Sequence, residues 1–282
     1  MIPAARAVPG GLLEAIAASV RAALASRRAN VPMDEVARAA DTRRPEGRRF
    51  RNAISRDGRV NVIAECKRRS PSRGVLAREY APAEIVRVYE RAGAAAISVV
   101  TEPTFFDGAL AHLEAVRAAT SLPVLRKDFI LDEYQLYEAR AAGADAVLLI
   151  VAMLDQASLG GLVRRAGDLG LAALVEVHSS RELGLARDAS ADIIGVNSRD
   201  LRTLTVDARV CAALVREAPP GCVMVAESGI RSRDDIDRLS ASGYGAFLIG
   251  ERLMTAPDPS AVLTGLVGAA AGGGPAAREA GA

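Results

Sequence analysis

Of the 36 basic residues in this chain only two are lysines, Lys67 and Lys127. Each closes a short apolar run that reads as a β-strand, Val60–Cys66 for the first and Pro123–Lys127 for the second. A guanidinium holds its proton, whereas an ammonium is compact and its pKa moves with burial. Lysine kept at two strand ends and nowhere else therefore suits proton transfer. The bland alternative is a pair of solvated surface charges. The neighbours argue against it. Strand alternation puts Ile63, Glu65 and Lys67 on one side and Val62, Ala64 and Cys66 on the other. An inward Lys67 thus brings Glu65 with it and leaves Cys66 as a structural thiol packed against helices.

The elements that must position these residues follow a repeated strand–helix pattern. Candidate strands are Val60–Cys66, Ala95–Thr101, Pro123–Lys127, Asp145–Val151, Leu171–Val177, Asp192–Asn197, Cys222–Glu227 and Ala246–Gly250. Their spacing leaves room for one helix between each pair. Gly93, Gly143 and Gly243 sit where a helix should end before the next strand. Eight such units predict an α/β protein, a (β/α)₈ TIM barrel. No glycine-rich fingerprint follows the first strand, as an open dinucleotide-binding sheet would show. Before the barrel, Leu12, Leu13, Ile16, Val20 and Leu24 form a helical stripe from Gly11 to Ala29. A second short helix should follow Pro32 and a third is expected over Phe50 to Ile54, with a loop over Asp41 to Arg49. Residues 1–58 are read as a helical extension too short for its own core, 59–267 as the barrel, and 268–282 as a disordered Ala/Gly-rich tail.

Barrel active sites form at the C-terminal strand ends. There the chain places Glu65, Lys67 and Ser70, then Lys127 and Asp128, Glu176, Asn197 and Arg199, Glu227 and Ser228, and Gly250 and Glu251. Both lysines then share a cavity with Glu65, Glu176 and Glu227. Burial lowers a lysine pKa and nearby carboxylates raise it, a balance expected to bring an acid and a base within reach of neutral pH. A ring of ion pairs could merely fill the mouth, but buried pairs stabilise no better than apolar residues, so five charges at one end argue for use. Ser228-Gly229 after the seventh strand and Gly250-Glu251 after the eighth fall where such barrels bind phosphate through backbone N–H groups. His178 is expected in a loop or helix-capping role, Asp128 beside Lys127 or capping the next helix, and His112 on the surface.

Composition narrows the class. A net charge of +2 with interleaved acids and bases gives no nucleic-acid footprint. Cys66, Cys211 and Cys222 lack metal-type spacing and, with His112 and His178 the only histidines, no metal centre is expected. No run reaches the about 18 apolar residues of a membrane span, and Glu14 and Arg21 interrupt any secretory signal. A cytoplasmic protein with no membrane and no nucleic-acid partner is expected.

Together the segments resemble the indole-3-glycerol-phosphate synthase family of tryptophan biosynthesis. The resemblance is carried by Ile63-Ala64-Glu65-Cys66-Lys67-Arg68-Arg69-Ser70-Pro71-Ser72, Leu125-Arg126-Lys127-Asp128-Phe129, Leu174-Val175-Glu176-Val177-His178, Ile194-Gly195-Val196-Asn197-Ser198-Arg199-Asp200-Leu201, Ala226-Glu227-Ser228-Gly229-Ile230 and Phe247-Leu248-Ile249-Gly250-Glu251. It runs in order from about Leu12 to Met254. The resemblance implies an extension lying over the barrel mouth and a carbon–carbon lyase (a carboxy-lyase). The reaction closes the ring of 1-(2-carboxyphenylamino)-1-deoxyribulose 5-phosphate with loss of carbon dioxide and water. It implies no metal and no cofactor, and a phosphorylated small molecule as the ligand of a monomer or weak homodimer. Lys127 would be the general acid at the ribulose carbonyl. Lys67, with Glu65, would pair the anthranilate carboxylate and is also an acid for dehydration. Glu176 would be the base or the charge facing the iminium, and Asn197 and Glu227 would hold sugar hydroxyls and the first lysine. Ser70, Arg199, Ser228, Gly229, Gly250 and Glu251 would bind phosphate, with Phe129 among the substrate contacts. Some relatives have a hydroxyl where Glu251 stands, so a backbone contact is expected there. A rival phosphate-binding barrel, phosphoribosylanthranilate isomerase, needs no second lysine and does not fit Glu65 to Ser70. A non-catalytic barrel would have lost a catalytic residue, yet Lys67, Lys127 and Glu176 are all present.

Overall fold

The computed structural model describes residues 11–200, 203–207 and 209–268. Eight parallel strands close into a barrel: β1 (Asn61–Cys66), β2 (Ala96–Val100), β3 (Val124–Lys127), β4 (Ala146–Ile150), β5 (Ala172–Val177), β6 (Ile193–Asn197), β7 (Val223–Glu227) and β8 (Ala246–Ile249). Each lies within one residue of its expected span. β1 closes the ring by pairing with both β2 and β8, Ile63 opposite Ala96 and Asn61 opposite Ala246. The strands are buried almost throughout, which is why they read as unbroken apolar runs. The helix turns behave as expected: Gly93 and Gly143 have φ of 92° and Gly243 of 114°, a left-handed conformation glycine adopts without strain. After β1 the chain also makes a small antiparallel ribbon, Arg69–Ser70 with Gly74–Val75, which the sequence pattern does not reveal.

Alternation along the strands builds two cores. Val62, Ala64, Cys66, Val99, Val147 and Val175 face the surrounding helices. Ile63, Leu125, Leu148, Leu174, Val225 and Leu248 fill the barrel interior. The same parity sends Glu65, Lys127, Glu176 and Glu227 inward at the upper end.

The extension comprises α1 (Leu12–Asn30), α2 (Met33–Asp41) and α3 (Gly47–Ala53). Only part of it lies over the mouth. Leu12 and Ile16 of α1 line the cavity there, and Ser19 Oγ meets Thr104 Oγ1 at 2.9 Å just beyond β2. α2 packs Val36 against Tyr134 on the barrel's flank. α3, displaced toward the N-terminus from its expected span, plugs the opposite end. Gly47 N donates to Gly170 O, and Arg49 and Arg51 donate to the carbonyls of Ser121 and Gly221, all just ahead of barrel strands. Phe50 and Ile54 there join the interior core beside Ala96, Ala146, Ile193 and Ala246, the first inward residues of their strands. A helical stripe says that one face is buried but not against what. The tail from residue 269 onward lies outside the described residues, and Gly268 ends the last helix, Pro259–Val267.

One arginine is no generic surface charge. Arg126, pointing outward beside Lys127, is 1% exposed. Its guanidinium donates to Asp128 Oδ2 at 2.9 Å, to the Gln135 carbonyl at 2.7 Å and to Glu138 Oε2 at 3.3 Å. Glu138 Oε1 in turn accepts from Arg27 of α1 at 2.6 Å, and Thr101 Oγ1 donates to Asp128 at 2.6 Å. Asp128 therefore neither orients Lys127 nor caps the next helix, correcting both expectations; Asp132 caps that helix. Removing one partner of such a network leaves buried charge uncompensated. Arg126→Met should lower unfolding free energy by about 3–5 kcal/mol, measured by urea denaturation; a change below ~1 kcal/mol would show the network to be solvated.

Candidate active site

The upper end of the barrel opens into a cavity of about 770 Å³. Every residue expected in the site lines it: Lys67, Lys127, Glu65, Glu176, Asn197, Glu227, Ser70, Phe129, Arg199, Ser228, Gly229, Gly250 and Glu251. On its floor, Lys127 Nζ stands 3.2 Å from Glu176 Oε2 and 3.6 Å from Glu227 Oε2. Lys67 Nζ donates to Glu65 Oε1 at 2.5 Å. The three carboxylates are each no more than 4% exposed, while both ammonium groups keep a face toward the cavity.

Two glycines make room for the acids. A β-carbon on Gly195 would collide with Glu227 Oε1, and one on Gly250 would collide with Glu65 Oε1. Gly250 was expected only as a phosphate-loop residue, and Gly195 was not singled out. An absent side chain gives no signal until its neighbour is known.

The charges set one another. Burial works against the Lys127 ammonium, but Glu176, Glu227 and Glu65 outweigh it and hold its pKa above the ordinary lysine range. Of the opposed pulls expected on the lysines, the carboxylates prevail at Lys127, and the group brought toward neutrality is Glu227, pushed up to about 8. Glu176 is pushed up by burial, yet Lys127, His178 and the Asn197 amide together hold it well below the ordinary carboxylate range. Burial and the neighbouring Glu176 charge push Glu227 upward instead, because two carboxylates sharing one ammonium do not both ionise freely. Burial raises Glu65 less than Lys67 and Lys127 lower it, so it stays ionised.

Asn197 knits the floor to the rim. Its Nδ2 donates to Glu176 Oε1 at 3.1 Å, and its Oδ1 accepts from Ser228 Oγ at 2.8 Å and from the Arg199 N–H at 3.0 Å. Ser228 and Gly229 both adopt left-handed backbone, φ 65° and 75°, at the rim of the cavity. At the rim, the Glu251 carboxylate bridges Arg73 Nε at 2.9 Å and Arg199 Nη2 at 3.5 Å. Its side chain is an anion among the arginines, so only its backbone can favour a phosphate there. Ser70 Oγ is occupied by the Arg73 N–H at 3.2 Å. Phe129 packs on Phe106, centroids 5.8 Å apart, forming with Leu12 and Ile16 an apolar flank.

His178 lies in the loop expected for it, between Val177 and Ser180, and its ring there reaches Glu176 Oε1 at 3.4 Å and Glu182 Oε2 at 3.1 Å. His112, expected on the surface, departs from expectation: it is half-buried and meets the Tyr80 ring edge-on at 5.0 Å. Cys66 and Cys211 are buried, and burial raises both thiols.

The chain is similar to known proteins along most of its length. The family model described as indole-3-glycerol phosphate synthase matches residues 13–266. Indole-3-glycerol phosphate synthase 2 of Streptomyces coelicolor is 48% identical over 261 residues, covering 92% of this chain and 99% of that one. The indole-3-glycerol phosphate synthase of Parafrankia sp. is 52% identical over 226 residues, covering 80% and 84%. Among solved structures, thiamine phosphate pyrophosphorylase from Pyrococcus furiosus superposes with a TM-score of 0.58 at 19% identity, covering 77% of this chain and 95% of that one. That last likeness shows the barrel fold alone.

Proposed function

The chain belongs to the indole-3-glycerol phosphate synthase family, and from that premise we propose how its cavity carries out the ring closure. It is a carboxy-lyase of tryptophan biosynthesis, converting 1-(2-carboxyphenylamino)-1-deoxyribulose 5-phosphate to indole-3-glycerol phosphate, carbon dioxide and water. Among the described residues no helix is long and apolar enough to cross a membrane.

The carboxyl-bearing ring carbon attacks the ribulose carbonyl carbon. As that bond forms, the carbonyl oxygen gains charge and Lys127 gives it a proton. The ring loses aromaticity and its nitrogen becomes an iminium, which the ionised Glu176 faces. Breaking the bond to the carboxylate returns an electron pair to the ring and frees carbon dioxide. The new hydroxyl then departs as water, with Lys67 supplying the proton. Glu176, once the iminium is discharged, takes the proton from the neighbouring carbon, and the indole is complete. Lys67 first holds the substrate carboxylate, and Glu65 fixes its ammonium. Glu227 holds Lys127 and, with Asn197, the sugar hydroxyls. Ser70, Arg199, Ser228 and the backbone at Gly229, Gly250 and Glu251 take the phosphate. The aromatic ring rests on the flank of Phe129, Leu12 and Ile16. A cytoplasmic location and a monomer or weak homodimer complete the proposal.

The observation that carries it is the pair of ammonium groups on opposite carboxylates across one cavity floor. Indole fluorescence on adding the carboxyphenylamino-deoxyribulose phosphate tests it. In the same assay Lys67→Arg keeps the charge but not the compact donor. KM should stay within about threefold while kcat falls about tenfold or more. An unchanged kcat would make Lys67 an electrostatic anchor only, and an inert wild-type protein would overturn the whole assignment.

A further inference from the structure

His178 stands one residue beyond the end of β5, two residues after Glu176, and does not line the cavity. By strand parity it would point inward, but the strand ends at Val177 and the first turn of helix Ser180–Asp188 captures the imidazole instead. Glu182 of that turn accepts the His178 backbone N–H at 2.7 Å and sits 3.1 Å from Nδ1. The far side of the ring, Nε2, is buried and otherwise unpartnered, and its nearest anion is Glu176 Oε1 at 3.4 Å, ion-pair rather than hydrogen-bond geometry. The two oxygens of Glu176 are thereby divided. Oε2 is held by Lys127, and Oε1 by Asn197 from the cavity side and by His178 from the other.

We infer that His178, anchored by Glu182, is a positioning residue that holds Glu176 ionised and turned toward Lys127. The inference rests on the role assigned to Glu176 above. Charges facing the imidazole are the Glu176 carboxylate from β5 and the Glu182 carboxylate from the helix packed on it. Burial disfavours the imidazolium, but these two carboxylates prevail and push its pKa up to about 10. The ring is therefore cationic at neutral pH. It counters the desolvation that would otherwise raise Glu176, so that the carboxylate facing the developing iminium is already charged when substrate arrives.

His178→Gln keeps a polar side chain but loses the cation, and Glu182→Gln keeps His178 but loses its anchor. Both variants are compared with wild type by thermal unfolding and by kcat, KM and the pH dependence of kcat/KM. His178→Gln should lower kcat about tenfold with KM within about threefold. The acidic limb of its profile should move upward, because Glu176 takes up a proton more readily without the imidazolium. Glu182→Gln should move both in the same direction and by less. Either variant that unfolds early but, at a temperature where it is folded, keeps the wild-type kcat and acidic limb would overturn the inference and leave His178 a packing residue. Glu176→Gln separates the two levels. If it is nearly inactive while His178→Gln is normal, only the inference fails; if it turns over normally, the role of Glu176 fails first.

Discussion

Lys127→Met leaves a folded barrel that binds indole-3-glycerol phosphate within a few-fold of wild type yet turns substrate over about 10³-fold more slowly. Methionine replaces the lysine stem and lacks only its terminal nitrogen, so the apolar floor beneath it at Leu125 and Leu148 stays filled. What disappears is the one donor set between Glu176 and Glu227. Ring closure then places charge on a carbonyl oxygen with no acid in reach. A positioned acid is worth about 10²–10⁴-fold, and losing the cation adds an electrostatic deficit. The product has neither the carbonyl nor the carboxylate, so its affinity depends on the rim and the apolar flank instead. A second signature follows from the two carboxylates left facing each other. With their ammonium gone both pKa values move upward, and that of Glu227, raised already by burial and by Glu176, moves further above the unfolded range. A raised folded-state pKa stabilises below the unfolded value and is lost as pH rises through the folded one. Lys127→Met is thus destabilised least near pH 5 and most near pH 8, which thermal unfolding across that window reads directly. Wild-type turnover in the variant would remove Lys127 from the chemistry.

Glu176→Gln is expected to lower kcat about 10²–10³-fold with a smaller effect on KM. The amide is nearly isosteric and keeps a partner in Asn197, but it carries no charge to face the iminium. The same change acts on Lys127. Burial draws that ammonium down and Glu176 is first among the groups that hold it up. Losing the carboxylate lowers the lysine pKa, so the basic limb of the pH profile moves toward neutrality. Glu227 and Glu65 remain, and the shift is partial. A loss of rate with an unmoved basic limb would mean that Glu176 and Lys127 are not coupled as their 3.2 Å separation requires.

The barrel was legible because its strands are buried on both faces and so appear as short apolar runs set off by glycine turns. Parity along β1 then placed Glu65 and Lys67 inward and Cys66 outward, as found. Parity stops working where a strand stops, and His178 shows it. One residue past Val177 the side chain is directed by Glu182, an acid on the next helix that no local pattern links to Glu176. Nothing in the sequence sets Arg126 apart from the other arginines, because its burial depends on Glu138 and Gln135 arriving from a helix twelve and nine residues on. Nothing in the sequence marks Gly195, and Gly250 reads only as a phosphate-loop residue, because what each gives the floor is a missing side chain. α3 was found as a helix, but its place at the lower end is set by carbonyls of Ser121, Gly170 and Gly221, scattered over the chain. The balance of charge at Lys127 needed distances: from composition, burial and carboxylates pull in opposite directions, and only their spacing decides that the carboxylates win.

The central claim is that Lys127 delivers the proton that permits carbon–carbon bond formation, ahead of carbon dioxide loss. A rapid-quench single turnover with carboxyl-labelled substrate isolates that step, counting carbon dioxide and indole separately. Lys127→Met should release neither within many wild-type half-times, while Lys67→Met, blocked later, should release carbon dioxide ahead of indole. Stoichiometric carbon dioxide from Lys127→Met, at the wild-type rate and without indole, would contradict the account.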